Sequence, residues 1–352
     1  MIAEKKEQMS EKQYRALPML SSSDLQLFTK DRKKFYQEKI LGEKPEEEYS
    51  KAKLIGNLVH CLLLEPQEFD NKFYLSICNT PPTGMLLAFV EALYRHTAAS
   101  MEDGVVTADF GVLAQAAYED SGFKITLEAV LKKFTTPHKT SGEVPENYYK
   151  QMIEAKSQGL EVACVEDITI AEKIVQQIRE DEFVGSIFQK DENVDDLNEL
   201  QIEGIELDGL VLKGMVDKVR IFHDVELIQP YDVKVTYDVI NFKRDYFLKR
   251  KSYIQGCIYY RLLCEYFREK YPTYLVMPPI FVVVHSGCFY KPLLFELEHK
   301  GLQKAYEGFT EDGREYSGVK TIIEDILWSQ NTGNWNISKI NFENNGKIAI
   351  FE

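Results

Sequence analysis

The chain has 352 residues, 44% of them hydrophobic, and a formal net charge of −14. That is enough apolar material for a folded core, and the acidic balance excludes a protein that coats DNA through bulk positive charge. No run approaches the roughly 20 apolar residues of a membrane span, and the start of the chain lacks the apolar core of a signal peptide, so a cytoplasmic protein with no membrane partner is expected.

In chain order, Leu20-Ser21-Ser22-Ser23-Asp24 predicts a helix start, with serines to cap and an acid for the first turn. A helix is expected over 51–64, stopped by Pro66, with Gly56 and His60 one turn apart on one face. Residues 80–149 read as an inserted helical region, from apolar runs at 85–94, 110–118 and 127–134 with Pro and Gly at its edges. An amphipathic helix follows over 168–188. From Leu197 the apolar period changes to two, a strand signature. Asp208-Gly209 is a hairpin turn, leading to a strand over 210–222, a turn at His223-Asp224 and a strand over 225–236. A long helix over 245–270, a buried strand over 280–285 and a helix including 322–328 complete the pattern. Helices around a central mixed sheet make this an α/β (α+β) chain. The expected parts are an N-terminal helical region (1–78), the insertion (79–160), a core (161–300) and a C-terminal helical extension (301–352).

Six cysteines are scattered with no Cys-x-x-Cys pair, so neither an iron–sulfur cluster nor a structural zinc site is expected. Two basic clusters, at 30–34 and 243–251, are read first as solvated helix faces.

The chemistry lies in the meander. With the turn centred on His223-Asp224, Asp217 falls opposite Pro230 and diagonal to Asp232. Asp217, Asp232 and Lys234 then project from one sheet face, at diagonal spacings of about 7–8 Å. Two carboxylates so placed can converge on one hard cation. For Asp217 and Lys234 alone, an ordinary cross-strand ion pair is the competing reading. For His60 it is a hydrogen-bonded core histidine, and for Gln255 and Tyr259 the polar rim of a helix. Glu199 and Glu203 share a face of the first strand, and either could add an acid. Pro230 inside its strand points to a bulge or an edge position.

Gly56-x-x-x-His60, Gly214-Met-Val-Asp217, Asp232-Val-Lys234 and Gln255-x-x-x-Tyr259, in this order, resemble the motifs of RecB-type PD-(D/E)XK nucleases. Leu20-Ser21-x-Ser23-x-Leu25 and Leu63-Leu64-Glu65-Pro66-x-x-Phe69 are similar, more specifically, to the exonuclease VIII (RecE-like) branch of phages and prophages. The resemblance runs from about residue 20 to 260, outside the insertion. It implies a restriction-endonuclease-like core and a Mg²⁺-dependent (Mn²⁺ as substitute) exodeoxyribonuclease acting on linear double-stranded DNA, 5′ to 3′. His60, Asp217, Asp232 and the main-chain carbonyl of Val233 would be metal ligands. Lys234 would be the catalytic lysine, and Gln255 and Tyr259 would brace the site and contact DNA. A single-strand annealing protein as partner, a homo-oligomer, and a bacterial or phage-infected host cell are implied by the same resemblance. The alternatives are a catalytically silent DNA-binding or scaffold protein on this fold, and a structure-specific endonuclease. No GxxxxGK[ST] motif signals a fused motor.

Overall fold

Asp208 and Gly209 take φ of 51° and 86°, the doubly left-handed backbone of a two-residue hairpin, and Leu207 pairs with Leu210 across them. The computed structural model describes residues 9–43, 50–102, 105–139 and 141–348. The hairpin strands β1 (Val194–Leu207) and β2 (Leu210–Phe222) lead to β3 (Leu227–Thr236), β4 (Leu275–Val276), β5 (Ile280–His285) and β6 (Leu293–Glu296). The order across the sheet is β6-β5-β3-β2-β1, with β4 on the first residues of β3. β1, β2 and β3 form an antiparallel meander, while β5 pairs with β3 in parallel. A parallel neighbour requires a crossover, and the Ser252–Phe267 helix lies in that connection.

Two apolar clusters flank the sheet. One joins Leu25 and Phe28 to Ile254, Ile258 and Leu262, to Ile322 and Ile326, and to Ile228 of β3. The other joins Leu54, Leu58 and Val59 to Ile174 and Ile178, and to Tyr231 and Val233 of β3. The alternation along β3 is what sends neighbouring side chains to opposite layers. In the Lys51–Leu64 helix, Leu54, Ile55, Leu58, Val59 and Leu63 are all buried, a stripe at helical spacing. Its last turn gives way at Glu65 (φ −141°), before Pro66, whose ring cannot continue the ladder. This central mixed sheet between helical layers is the architecture the sequence predicts.

The helices Gly84–Ala99, Phe110–Ser121, Leu127–Thr135 and Pro145–Gln158 pack around a separate cluster that includes Phe89, Leu93, Phe134 and Tyr148. A short parallel pair, Phe73–Leu75 with Glu161–Ala163, brackets them. Among the described residues, no helix is long and apolar enough to cross a membrane.

Four local expectations are corrected. The helix predicted over 168–188 is Val165–Glu180, followed by a 3₁₀ turn at Gly185–Phe188. Asp181 ends it by accepting the N–H groups of Phe183 and Val184 at 2.9 and 3.1 Å. The helix predicted over 245–270 is broken at Lys251, which takes φ of 61°. Its carbonyl accepts from Gln26 Nε2 at 3.0 Å and its ammonium donates to Thr29 O at 3.3 Å. Pro230 is in a central strand rather than at an edge or bulge. β3 pairs with β4 up to Ile228 and with β5 from Tyr231. Gln229 and Pro230 therefore occupy the gap between partners, where a missing N–H costs nothing, and Gln229 Nε2 bridges it to Pro278 O at 2.9 Å. Finally, the β2–β3 turn spans His223 to Glu226, so that Phe222 pairs with Leu227 rather than Val225.

Candidate active site

That longer turn shifts the β2–β3 register by two residues, and a shift of two preserves the face. The paired rungs run from Phe222–Leu227 to Lys218–Tyr231, so the next position places Asp217 directly across from Asp232 rather than diagonal to it. The ladder stops there. Val233 N–H donates to Asp217 Oδ2 at 2.7 Å, and Val233 O accepts from His60 Nε2 at 2.9 Å. Both backbone groups of Val233 are thus taken by side chains. Buried backbone groups must find partners, and here the partners come from β2 and from the Lys51–Leu64 helix.

On the other side of Asp217, β1 contributes Glu199, between the rungs Asn198–Lys218 and Leu200–Val216. Glu199 has φ of 47°, a left-handed backbone rare for a side-chain-bearing residue in a strand. The core positions of β2 change parity at the same place, from Leu210, Leu212 and Val216 to Val219 and Ile221. Strained backbone of this kind is costly and concentrates at functional sites. His60 Nδ1 lies 3.6 Å from Glu199 Oε1 and 3.7 Å from Asp217 Oδ2. His60, Glu199 and Asp217 each offer a ligand atom, all within 4.8 Å of one another. Donors at about 2.1–2.4 Å from a hard cation lie no more than about twice that distance apart, so this donor set fits a single divalent ion.

The third part of the cluster comes from β3 and the Ser252–Phe267 helix. Asp232 is 1% exposed. Its Oδ1 accepts from Gln255 Nε2 at 2.9 Å, and Gln255 Nε2 also reaches Tyr259 Oη at 3.1 Å. Lys234 Nζ is 2.6 Å from Asp232 Oδ2, yet that buried oxygen has no aligned hydrogen bond among the described residues. An incompletely satisfied buried carboxylate oxygen is a position that invites a further positive group. Gly214, on β2, allows the helix to come close: a Cβ there would lie 2.6 Å from Leu262 Cδ1 and 3.4 Å from Tyr259 Cε1.

The charges are strongly coupled. Burial depresses the His60 pKa, but Asp217 and Glu199 outweigh it and hold it up at about 9. Burial raises Asp217 despite His60 and Lys234, and raises Asp232 to about 6 despite Lys234. Lys234 is pulled down by burial, but Asp232 and Asp217 more than compensate and keep it protonated. Burial also pushes the Tyr259 hydroxyl well above its ordinary value. The site therefore sets a cationic imidazole and ammonium beside buried acids that burial makes reluctant to ionise, a balance that an incoming divalent cation would displace.

All of the singled-out residues except Glu203 meet in this cluster. Glu203 is half-buried beyond it, near Tyr14. Of the two glutamates, Glu199 stands beside His60 and Asp217, and it is marked by a left-handed φ that no residue pattern displays. At Gly56, one turn before His60, an added Cβ would meet nothing within 4 Å. The basic clusters are partly structural: Arg32 is paired with Asp325 and bonded to Ser329, Lys243 is paired with Glu311, and Lys251 is tied to Thr29.

The central mixed sheet and its flanking helices are those of the PD-(D/E)XK superfamily. In particular, the chain belongs to the family described as PDDEXK-like domain of unknown function (DUF3799), whose model matches residues 21–337. No curated protein matches the sequence. A solved structure named "Putative exonuclease", from Eubacterium rectale, is similar with 13% identity and a TM-score of 0.46, covering 97% of this chain and 88% of that chain. The assignment rests on the family match.

Proposed function

We propose that this chain is a divalent-metal-dependent nuclease that degrades linear double-stranded DNA from its ends. The observation that carries the reading is the cluster of His60, Glu199 and Asp217 around Val233, beside the Asp232–Lys234 pair. His60, through the Nδ1 that faces both carboxylates, Glu199 and Asp217 would hold the cation, with Asp232 on its flank; the Val233 carbonyl, a ligand by the sequence resemblance, is here taken by His60 Nε2. Mg²⁺ suits oxygen-rich donors, with Mn²⁺ as a substitute. When bound, it supplies charge neutralisation at the scissile phosphate and acidifies water.

The chain's own residues supply the remainder. Lys234, held protonated, offers its charge to the phosphate oxygens as negative charge builds on them. Asp232 keeps the ammonium in place, and Gln255 fixes Asp232 by its hydrogen bond. Tyr259, kept neutral by burial, anchors Gln255. The 5′-to-3′ direction, a place in phage-type recombination beside a single-strand annealing protein, a homo-oligomeric assembly and kinship with RecE-like exonucleases are supported by the sequence motifs alone.

Digestion of end-labelled linear duplex beside covalently closed circles, with Mg²⁺ and with EDTA, tests the proposal. Loss of the linear form in Mg²⁺ only, with circles spared, is expected. Comparable cutting of circles would make the enzyme an endonuclease, and degradation in EDTA would remove the metal from the chemistry.

A further inference from the structure

A glycine inside a helix calls for a reason, because only proline is a poorer helix former. Gly256 and Gly301 have one: a Cβ would lie 2.8 Å from Leu297 Cδ2 at the first and 2.9 Å from Leu297 Cδ1 at the second. Gly56 has none of this kind. Its φ is outside the left-handed range, and an added Cβ would meet nothing within 4 Å among the described residues. Neither packing nor backbone conformation explains it.

Its position does. Gly56 lies one turn before His60 on the same face of the Lys51–Leu64 helix. It is half-buried, and the imidazole does not fill the space beside it. Lys53, three residues earlier on that face, is exposed. The bare stretch of helix thus adjoins the metal-ligand cluster on one side and a cation on the other.

We propose that the sugar–phosphate backbone of the DNA strand runs across this face, with Gly56 as its point of closest approach and Lys53 meeting an adjacent phosphate. The inference rests on the nuclease reading above. Glycine permits a ligand to approach a backbone as no other residue does, and a lysine ammonium suits a phosphate as a mobile point charge. Gly56 is then a positioning residue that admits a polymer to the site.

The test uses the full chain with Gly56→Ala, Gly56→Leu and Lys53→Ala. Gly56→Ala should raise the melting temperature by on the order of 1–3 °C, since it adds helix propensity without a clash. It should nevertheless raise KM for linear duplex. Gly56→Leu should lower kcat/KM by on the order of 100-fold, the scale of a misplaced substrate, while Mn²⁺ binding measured by calorimetry matches wild type. Lys53→Ala should reduce the salt dependence of DNA binding by about one phosphate contact. Unchanged KM in both Gly56 variants of a protein that does cleave DNA overturns the proposal. A raised KM accompanied by a lowered melting temperature or lost Mn²⁺ binding overturns it too, by making Gly56 structural. A wild type that leaves DNA intact with Mg²⁺ and Mn²⁺ overturns the nuclease reading itself.

Discussion

Asp217 Oδ2 receives the backbone N–H of Val233 at 2.7 Å, so this carboxylate takes the place of a strand partner as well as facing His60. Asp217→Asn, which retains an acceptor, should fold with a melting temperature near wild type. Asp217→Ala leaves a buried N–H unpaired, at about 1–3 kcal/mol, and should melt lower despite the relief of repulsion from Glu199 and Asp232. Both should lose at least about 100-fold in cleavage rate, the scale of removing one electrostatic group from a reacting site. Thermal melts and a single-turnover digestion of each variant check this.

The His60 pKa, held up at about 9 against an ordinary 6.5, sets a pH dependence. A raised pKa means that the charged ring favours the fold. Its contribution is complete below about 6.5 and is lost as pH rises through about 9. Asp232, raised mainly by burial to about 6, acts in the same direction at lower pH. In EDTA the protein should therefore melt at a lower temperature at about pH 9 than at about pH 6.5. Cation binding, which needs a ring nitrogen free of its proton, should tighten over the same interval and release protons. Calorimetry in two buffers of different ionisation enthalpy would count those protons, and a melting temperature that climbs with pH in EDTA would contradict the scheme.

Gln255 donates to Asp232 and lies within reach of Tyr259. Gln255→Ala should cut kcat by about 10–100-fold, as is usual when a group supporting a site's primary residues is removed. Cation binding through His60, Glu199 and Asp217 should be largely retained. Tyr259→Phe keeps the packing and removes only the hydroxyl anchor, so a smaller loss is expected. Steady-state rates beside Mn²⁺ titrations separate the two effects.

Gly214 and Gly56 should respond to alanine with opposite signs. At Gly214 the new Cβ would press on Leu262, a fully buried side chain, at 2.6 Å. Such overpacking costs about 1–3 kcal/mol and would displace Tyr259 and, through it, Gln255 from Asp232. Melting temperature and activity should fall together in Gly214→Ala.

The sequence carries the layers of the fold, and the grouping of the candidate site residues, for a physical reason: burial imposes period 3.6 on the Lys51–Leu64 helix, and on β3 it sends Tyr231 and Val233 to one layer while Asp232 and Lys234 alternate with them. It carries registers less well. The turn at His223 is longer than the residues signal, and the faces of Asp217 and Asp232 were read correctly only because the slip is an even number of residues. Residue pattern does not separate Glu199 from Glu203, since their placement depends on left-handed backbone at Glu199 and Gly204 and a register shift between Ile202 and Ile205. Pro230 misled because its tolerance is set by a gap between β4 and β5, about 45 residues further along the chain, which no local pattern describes. The break at Lys251 likewise depends on tertiary partners, Gln26 and Thr29.

The unfinished rung at Val233 has a consequence for following the protein in solution. Its amide proton rests on a carboxylate rather than on a carbonyl, so its NMR chemical shift registers the charge on Asp217. A cation drawing on that carboxylate changes the shift, and protonation of Asp217 changes it differently. The exchange of the same proton with solvent reports how often the gap between β2 and β3 opens. One backbone amide, isotopically labelled at valine, thus follows proton, cation and strand separation without any added probe.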